Sequence, residues 1–181
     1  TCLFTTILTL MVAYVYSRLR FPSRRFLMNA SLVLGMFPGF MSIIAIYHFM
    51  KAVHLDQTLA ALVLVYSGGA ALNYYIAKGF FDTLPRSLDE AAILDGASNH
   101  TIFWKIILPN AKPIIATTAI NAFINPIVDY IFVSVIMKDN YNNFTVSKGL
   151  YTMVDKTNIY AYYTAFCAGG VLVAIPVVLL F

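Results

Sequence analysis

The chain has 181 residues, of which 60% are apolar and only 11% charged, and its formal net charge is +4. An ordinary soluble domain is about 45–50% apolar and ~25% charged, and a soluble fold of this length must leave much of its surface in water. This composition excludes a conventional water-soluble domain and makes lipid the expected solvent.

In chain order, five apolar runs stand out: 1–17, 26–50, 57–77, 113–137 and 161–181. Each is near the ~20 residues with which a helix crosses about 30 Å of hydrocarbon. The expected architecture is all-α, a polytopic transmembrane helical bundle forming a single domain over residues 1–181, with five spans visible. The first run lacks a start methionine and the last ends on Val177-Val178-Leu179-Leu180-Phe181, so the chain is expected to be a piece of a longer protein, truncated at both ends. Run 1–17 has neither a basic leader nor a small-residue cleavage site and does not read as a signal peptide.

The connections between the runs carry the charge. Arg18, Arg20, Arg24 and Arg25 fill the first, and Lys78, Arg86, Lys105 and Lys112 fall in the third. The second and fourth hold only Lys51, Lys138, Lys148 and Lys156. Basic residues in short loops favour the cytoplasmic side, so residues 18–25 and 78–112 are expected inside and 138–160 outside. This placement follows membrane topology and gives no reason to invoke nucleic acid. Pro38 with Gly39, and Pro126, are expected to kink their helices. Gly68, Gly69, Ala70 and Ala71 form a small-residue patch suited to close helix packing. Cys2 and Cys167 lie in apolar runs and read as free thiols, while His48, His54 and His100 show no metal-ligand spacing. No metal, cofactor or catalytic set is expected.

The third connection is the most informative. Ser87 followed by Glu90 has the spacing of a capping box, which places a helix start at Leu88. Asp89 and Glu90 would then sit at the positive end of its dipole. Gly96 suits a left-handed helix terminus. A second short helix is expected from about Ser98 to Leu108, stopped by Pro109 and Pro113. The predicted object is a helix–turn–helix elbow on the inner membrane face, anchored by Phe103, Trp104, Ile106 and Ile107. Ala91 and Ala92 would give its first arm a bare face for close approach by another protein.

Glu90, Ala91, Ala92, Gly96, Ile106, Leu108 and Pro109 resemble, at the full spacing, the EAA loop of ABC importer permeases. Seven positions at ordinary residue frequencies would match by chance at roughly one start site in 10⁸. The stretches 14–22, 35–38, 77–81 and 90–97 are similar to those of sugar-importer permeases of the MalG type. This resemblance covers nearly the whole chain. It implies a type I ABC importer permease fold in the cytoplasmic membrane. It also implies a second permease subunit, two copies of an ATPase, an extracytoplasmic solute-binding protein and a sugar or oligosaccharide substrate. In the family the EAA elbow docks in a groove of the ATPase, so residues 82–112 are expected to be the coupling segment and ATP is expected to be hydrolysed by the partner.

In the fourth run Thr118, Asn121, Asn125 and Asp129 recur at spacings of three, four and four, one face of a helix. An acid inside a span faces protein or water. This face either lines the solute path, where its amides and carboxylate would meet sugar hydroxyls, or packs on a neighbouring helix. Sugar permeases similar to this chain have an Asn-Glu pair where Val128-Asp129 stands here. Tyr66 and Asn73, seven apart in the third run, are expected to face the same cavity. Residues 138–160, rich in Asn and Tyr, read either as a recognition surface or as a solvated loop with a short helix near Val146–Val154. By resemblance, the matching loop enters the binding protein's sugar cleft. A type I permease for another solute, such as peptide or phosphate, shares the EAA spacing. A secondary transporter would call for internal repeats or paired intramembrane charges, and a membrane enzyme for a clustered catalytic set.

Overall fold

A computed structural model of the chain describes residues 1–36, 39–70, 74–138, 140–155 and 159–180. The expected kink at Pro38, the end of the small-residue patch at Ala71 and the candidate Asn73 lie outside the described residues. The described residues are predominantly helical, with turns between the helices and without strands. The helices are α1 (Cys2–Arg18), α2 (Arg24–Met36), α3 (Gly39–Ala52), α4 (Leu59–Ala70), α5 (Tyr74–Thr83), α6 (Ser87–Leu94), α7 (Asn99–Ile102), α8 (Leu108–Asn110), α9 (Lys112–Val128), α10 (Ile131–Met137), α11 (Val146–Met153) and α12 (Ile159–Leu180). A π-helical turn, Phe103–Ile107, joins α7 to α8.

The five apolar runs are not five straight helices. Among the described residues Tyr160–Leu180 is the one unbroken helix long and apolar enough to span a membrane, and α1 is a shorter apolar helix. Each of the other three runs contributes two described helices, those of the second and third runs lying on either side of residues outside the described ones, which gives up to four spans if each pair counts as one. In the fourth run the break itself lies within the described residues. Pro126 stands inside α9, which ends two residues later, and α9 and α10 meet at 61° across Asp129 and Tyr130. The lost donor and the clash of a proline act on the turn before it, yet α9 runs on through Pro126, and Asp129 N–H still bonds to the Asn125 carbonyl, so the break follows the proline and is not at it.

The chain gathers into two compact units interleaved in sequence. The first comprises residue 1, 38–66 and 123–181. Its core is Ile43, Met50, Ala61, Leu62, Phe132, Val133, Ile136 and Met137, so α3, α4 and α10 bury their apolar faces together. The turn after α3 is closed by Leu55 N–H to the Met50 carbonyl and His54 N–H to that of Lys51, with His54 at φ +56°. Thr58 then caps α4 by accepting from Ala61 N–H. The Asn140 and Asn143 amides both donate to the Gln57 carbonyl, at 3.1 and 2.9 Å, and tie this turn to the loop after α10. The short helix expected near Val146–Val154 is α11.

The second unit comprises residues 2–37 and 67–122. Here α1 packs on α5, and Leu10, Ala13 and Tyr14 share a core with Tyr74, Ala77 and Phe81. That core continues into Ala92, Ile102, Phe103, Ile107, Ala111 and Ile114. Thr5 and Ser67 are buried against one another at 3.2 Å, an intrahelical-bundle use of small hydroxyls. Their neighbours Gly68 and Gly69 are exposed, and an added Cβ at either meets nothing within 4 Å. Gly68 and Gly69 therefore make no close packing contact within this chain, because α4 turns Ser67, not these glycines, toward α1.

Candidate functional site

The elbow forms, and its turn is the one the glycine requires. The first arm, α6, ends with Gly96 N–H bonded to the Ile93 carbonyl at 3.0 Å and Ala97 N–H to the Ala92 carbonyl at 2.9 Å. Gly96 has φ +79°, and this pair of bonds around a left-handed residue is the Schellman terminus. The second arm opens at Ser98, which is extended and accepts from Thr101 N–H.

Three expectations change. Ser87 is not the N-cap of α6. Arg86, already helical at φ −68° and ψ −22°, takes that position, and its carbonyl accepts from Asp89 and Glu90 N–H. With the helix entered one residue early, Ser87 is itself inside it and no capping box forms with Glu90, which is exposed. The second arm does not stop at Leu108. It continues through Pro109 to Asn110 because the π turn makes Leu108 N–H reach back to the Phe103 carbonyl. That shift by one carbonyl accommodates the proline, which has no N–H and needs space over the previous turn. The Asn110 side chain then serves the Ile106 carbonyl at 2.7 Å. Finally, the alanine pair is divided. Ala91 is exposed but Ala92 is buried in the unit's own core, with Phe103 and Ile107. Of the expected membrane anchors only Trp104 is exposed; Ile106 is half-buried against that core.

The elbow is seated on α1 by residues that the sequence did not single out for this role. Arg18 Nε lies 3.1 Å from Asp89 Oδ2, with the two side chains only 6% and 14% exposed. Arg18 Nη2 also donates to the Leu84 carbonyl at 3.0 Å. The Tyr14 hydroxyl donates to the Asn99 carbonyl, and its ring meets Phe103 at 4.9 Å. Ser17 donates to Asp82 Oδ1 at 2.7 Å, and Lys78 pairs with Asp82 Oδ2. Asp82 lies beyond the apolar run 57–77. Burial pushes its carboxyl up, but the Lys78 and Ser17 hydrogen bonds, with the charges of Lys78 and Arg24, outweigh this and hold it below its ordinary range. Four arginines crowd residues 18–25, and only the fold selects Arg18 for Asp89.

The polar stripe is shared between the units. In the second unit Thr118 turns its hydroxyl back to the Ile114 carbonyl, and Asn121 is exposed. In the first unit Asn125 is exposed, while Asp129 and Tyr66 meet: the Tyr66 hydroxyl donates to Asp129 Oδ2 at 2.9 Å. Asp129 Oδ1 accepts from Phe132 N–H at 3.0 Å, capping the first turn of α10, and its carbonyl accepts from Ser147 of α11. Both carboxylate oxygens thus serve donors of this chain. Ile106, Leu108 and Pro109 line the second arm of the elbow.

The family of binding-protein-dependent transport system inner membrane components matches residues 5–181. The chain belongs to that family. As an inner membrane component of this kind it has the all-helical type I ABC importer permease fold. Within the family, it is similar to the galactooligosaccharides transport system permease protein GanQ of Bacillus subtilis (strain 168), with 38% identity over 93% of this chain and 59% of the relative. It is 35% identical to the maltodextrin transport system permease protein MalD of Streptococcus pneumoniae, over 97% of this chain and 62% of that protein. It is 32% identical to the maltose/maltodextrin transport system permease protein MalG of Escherichia coli (strain K12), over 93% and 58% respectively. The chain spans about three fifths of the length of the curated relatives it matches.

Proposed function

We propose that the chain forms the greater part of a membrane-spanning permease subunit of a binding-protein-dependent ABC importer for oligosaccharides. In this reading it pairs with a second permease subunit, two ATPase subunits and an extracytoplasmic solute-binding protein. It catalyses no chemistry itself; the ATPase hydrolyses ATP, and the elbow of α6 and α7 receives the resulting motion. Family membership supports the general assignment. The oligosaccharide class is supported by the three relatives named above, which are galactooligosaccharide, maltodextrin and maltose/maltodextrin transport permeases.

The observation that carries the coupling role is the Schellman turn at Gly96. It presents Ile93 and Leu94, 57% and 89% exposed, beside the exposed Glu90 and Ala91. Large apolar side chains held out at the tip of a rigid turn are suited to a protein groove. Residues 18–25 and 78–112 lie on the cytoplasmic side in this reading, and 138–160 outside. Asn121 and Asn125 remain the residues of the stripe free to meet a solute, whereas Asp129 and Tyr66 support the helix break. The test is to purify the full-length subunit with its partners, identify the co-eluting binding protein and its ligand, and compare Gly96→Val. Loss of ATPase retention and of ligand-stimulated hydrolysis is expected. A Gly96→Val complex normal in both would remove the elbow from the coupling role.

A further inference from the structure

We propose that Arg18 is a positioning residue that fastens the coupling elbow to α1. The proposal rests on the coupling reading above and identifies the element through which the elbow moves the bundle. The nearly buried Arg18 guanidinium spans two segments at once: Nε is ion-paired at 3.1 Å with Asp89 in the first turn of α6, without a hydrogen bond, and Nη2 donates to the Leu84 carbonyl just before that helix. A planar guanidinium is suited to such a two-pronged hold, whereas a lysine supplies a single point of charge. Tyr14, one turn earlier on α1, contacts the second arm through Asn99 and Phe103. Both arms are therefore gripped by one face of the last turns of α1. Packed elements joined in this way shift together instead of deforming separately. Displacement of the elbow is delivered to α1 through the Arg18–Asp89 pair.

Within α6 only Asp89 and Ala92 are turned inward, and the exposed Ile93 lies one turn after Asp89. Asp89 is turned into the fold, while Glu90, Ala91 and Leu94 face outward. Breaking the pair should leave the docking surface in place but loosen its connection to the bundle. An uncoupled complex that still holds its ATPase is the expected signature, and a merely structural role would not produce it.

The experiment uses the full-length subunit reconstituted with its second permease, ATPases and binding protein. Arg18→Gln, Asp89→Asn, the double variant, Asp89→Glu and Gly96→Val are compared for ATPase retention, the ratio of ligand-stimulated to basal hydrolysis, and uptake. Removing one partner leaves a buried unpaired charge that can prevent folding. The double variant removes both charges and provides the reading if a single variant fails to assemble. Expected is full ATPase retention with the stimulation ratio down about ten-fold in the double variant and in each single variant that assembles. The double loses no more than the worse single, and Asp89→Glu recovers most of the ratio. A double variant with wild-type stimulation overturns the proposal. So does one that loses the ATPase altogether, because the pair would then serve assembly only. Gly96→Val retaining both ATPase and stimulation would overturn the docking reading separately, whatever the Arg18 variants do.

Discussion

Two residues show how local backbone chemistry sets the balance of this fold. Gly96 and His54 occupy the same place in two Schellman turns, at φ +79° and +56°. Glycine reaches this conformation without penalty, whereas a residue with a Cβ does so at roughly 1–2 kcal/mol. Substitutions at the two positions should therefore act in opposite directions. Gly96→Val is expected to cost about 1–2 kcal/mol through backbone strain alone, since an added Cβ meets no atom within 4 Å. His54→Gly is expected to stabilise the α3–α4 turn by up to about 1 kcal/mol, once the greater freedom of glycine in the unfolded chain is set against the relief. Thermal unfolding of both variants in the same detergent gives the signs. A destabilised His54→Gly would mean that the histidine side chain contributes more than its backbone loses. Glu90 is a different case. Exposed and outside any capping box, it should be replaceable by alanine within about 0.5 kcal/mol of wild-type stability. Its loss should show instead in ATPase retention. A large drop in the stability of Glu90→Ala would restore a capping role.

At the scale of elements, polar side chains satisfy backbone groups near two of the prolines that the helices contain. Pro109 is absorbed by the π turn and the amide of Asn110, whereas Pro126 is followed by a break that Asp129 repairs. Asp129 caps α10 at Phe132 N–H and receives the Tyr66 hydroxyl. Asp129→Ala should cost about 1–3 kcal/mol by leaving these donors unmet, and Tyr66→Phe about 0.5–1.5 kcal/mol. Their effects should not add, because both remove one shared bond. Asn125→Ala should leave stability unchanged and reduce uptake if the exposed face meets the solute. Melting curves set beside transport rates separate the two roles: a stable Asp129→Ala subunit with failed uptake would return Asp129 to the solute path. This division could not be read from spacing. Spacing places residues on a face of an assumed continuous helix, and the helix ends at Val128.

For the whole molecule, the charge asymmetry predicts an orientation that the two compact units do not by themselves reveal. In a background lacking Cys2 and the exposed Cys167, Ser23→Cys should be protected from an impermeant thiol reagent in intact cells. Asn143→Cys, in the loop after α10, should react. The reverse pattern would invert the topology.

The sequence by itself determined the helical class, the positions of the apolar runs and the site of the elbow. Those properties are local or cumulative: hydropathy adds along a segment, and a glycine announces its own backbone freedom. Gly96 and Ser98 were legible for that reason, as was the short helix in the outer loop. Only the tertiary structure decided which of four neighbouring arginines meets Asp89, that Ala92 and Phe103 turn inward while Ala91 and Trp104 do not, and that Tyr66 and Asp129 join across 63 residues of chain. These choices depend on which faces remain uncovered once α1 has packed on α5 and α10 on α3. A one-dimensional pattern offers several equivalent partners, and burial selects among them by leaving room and a matching charge for one.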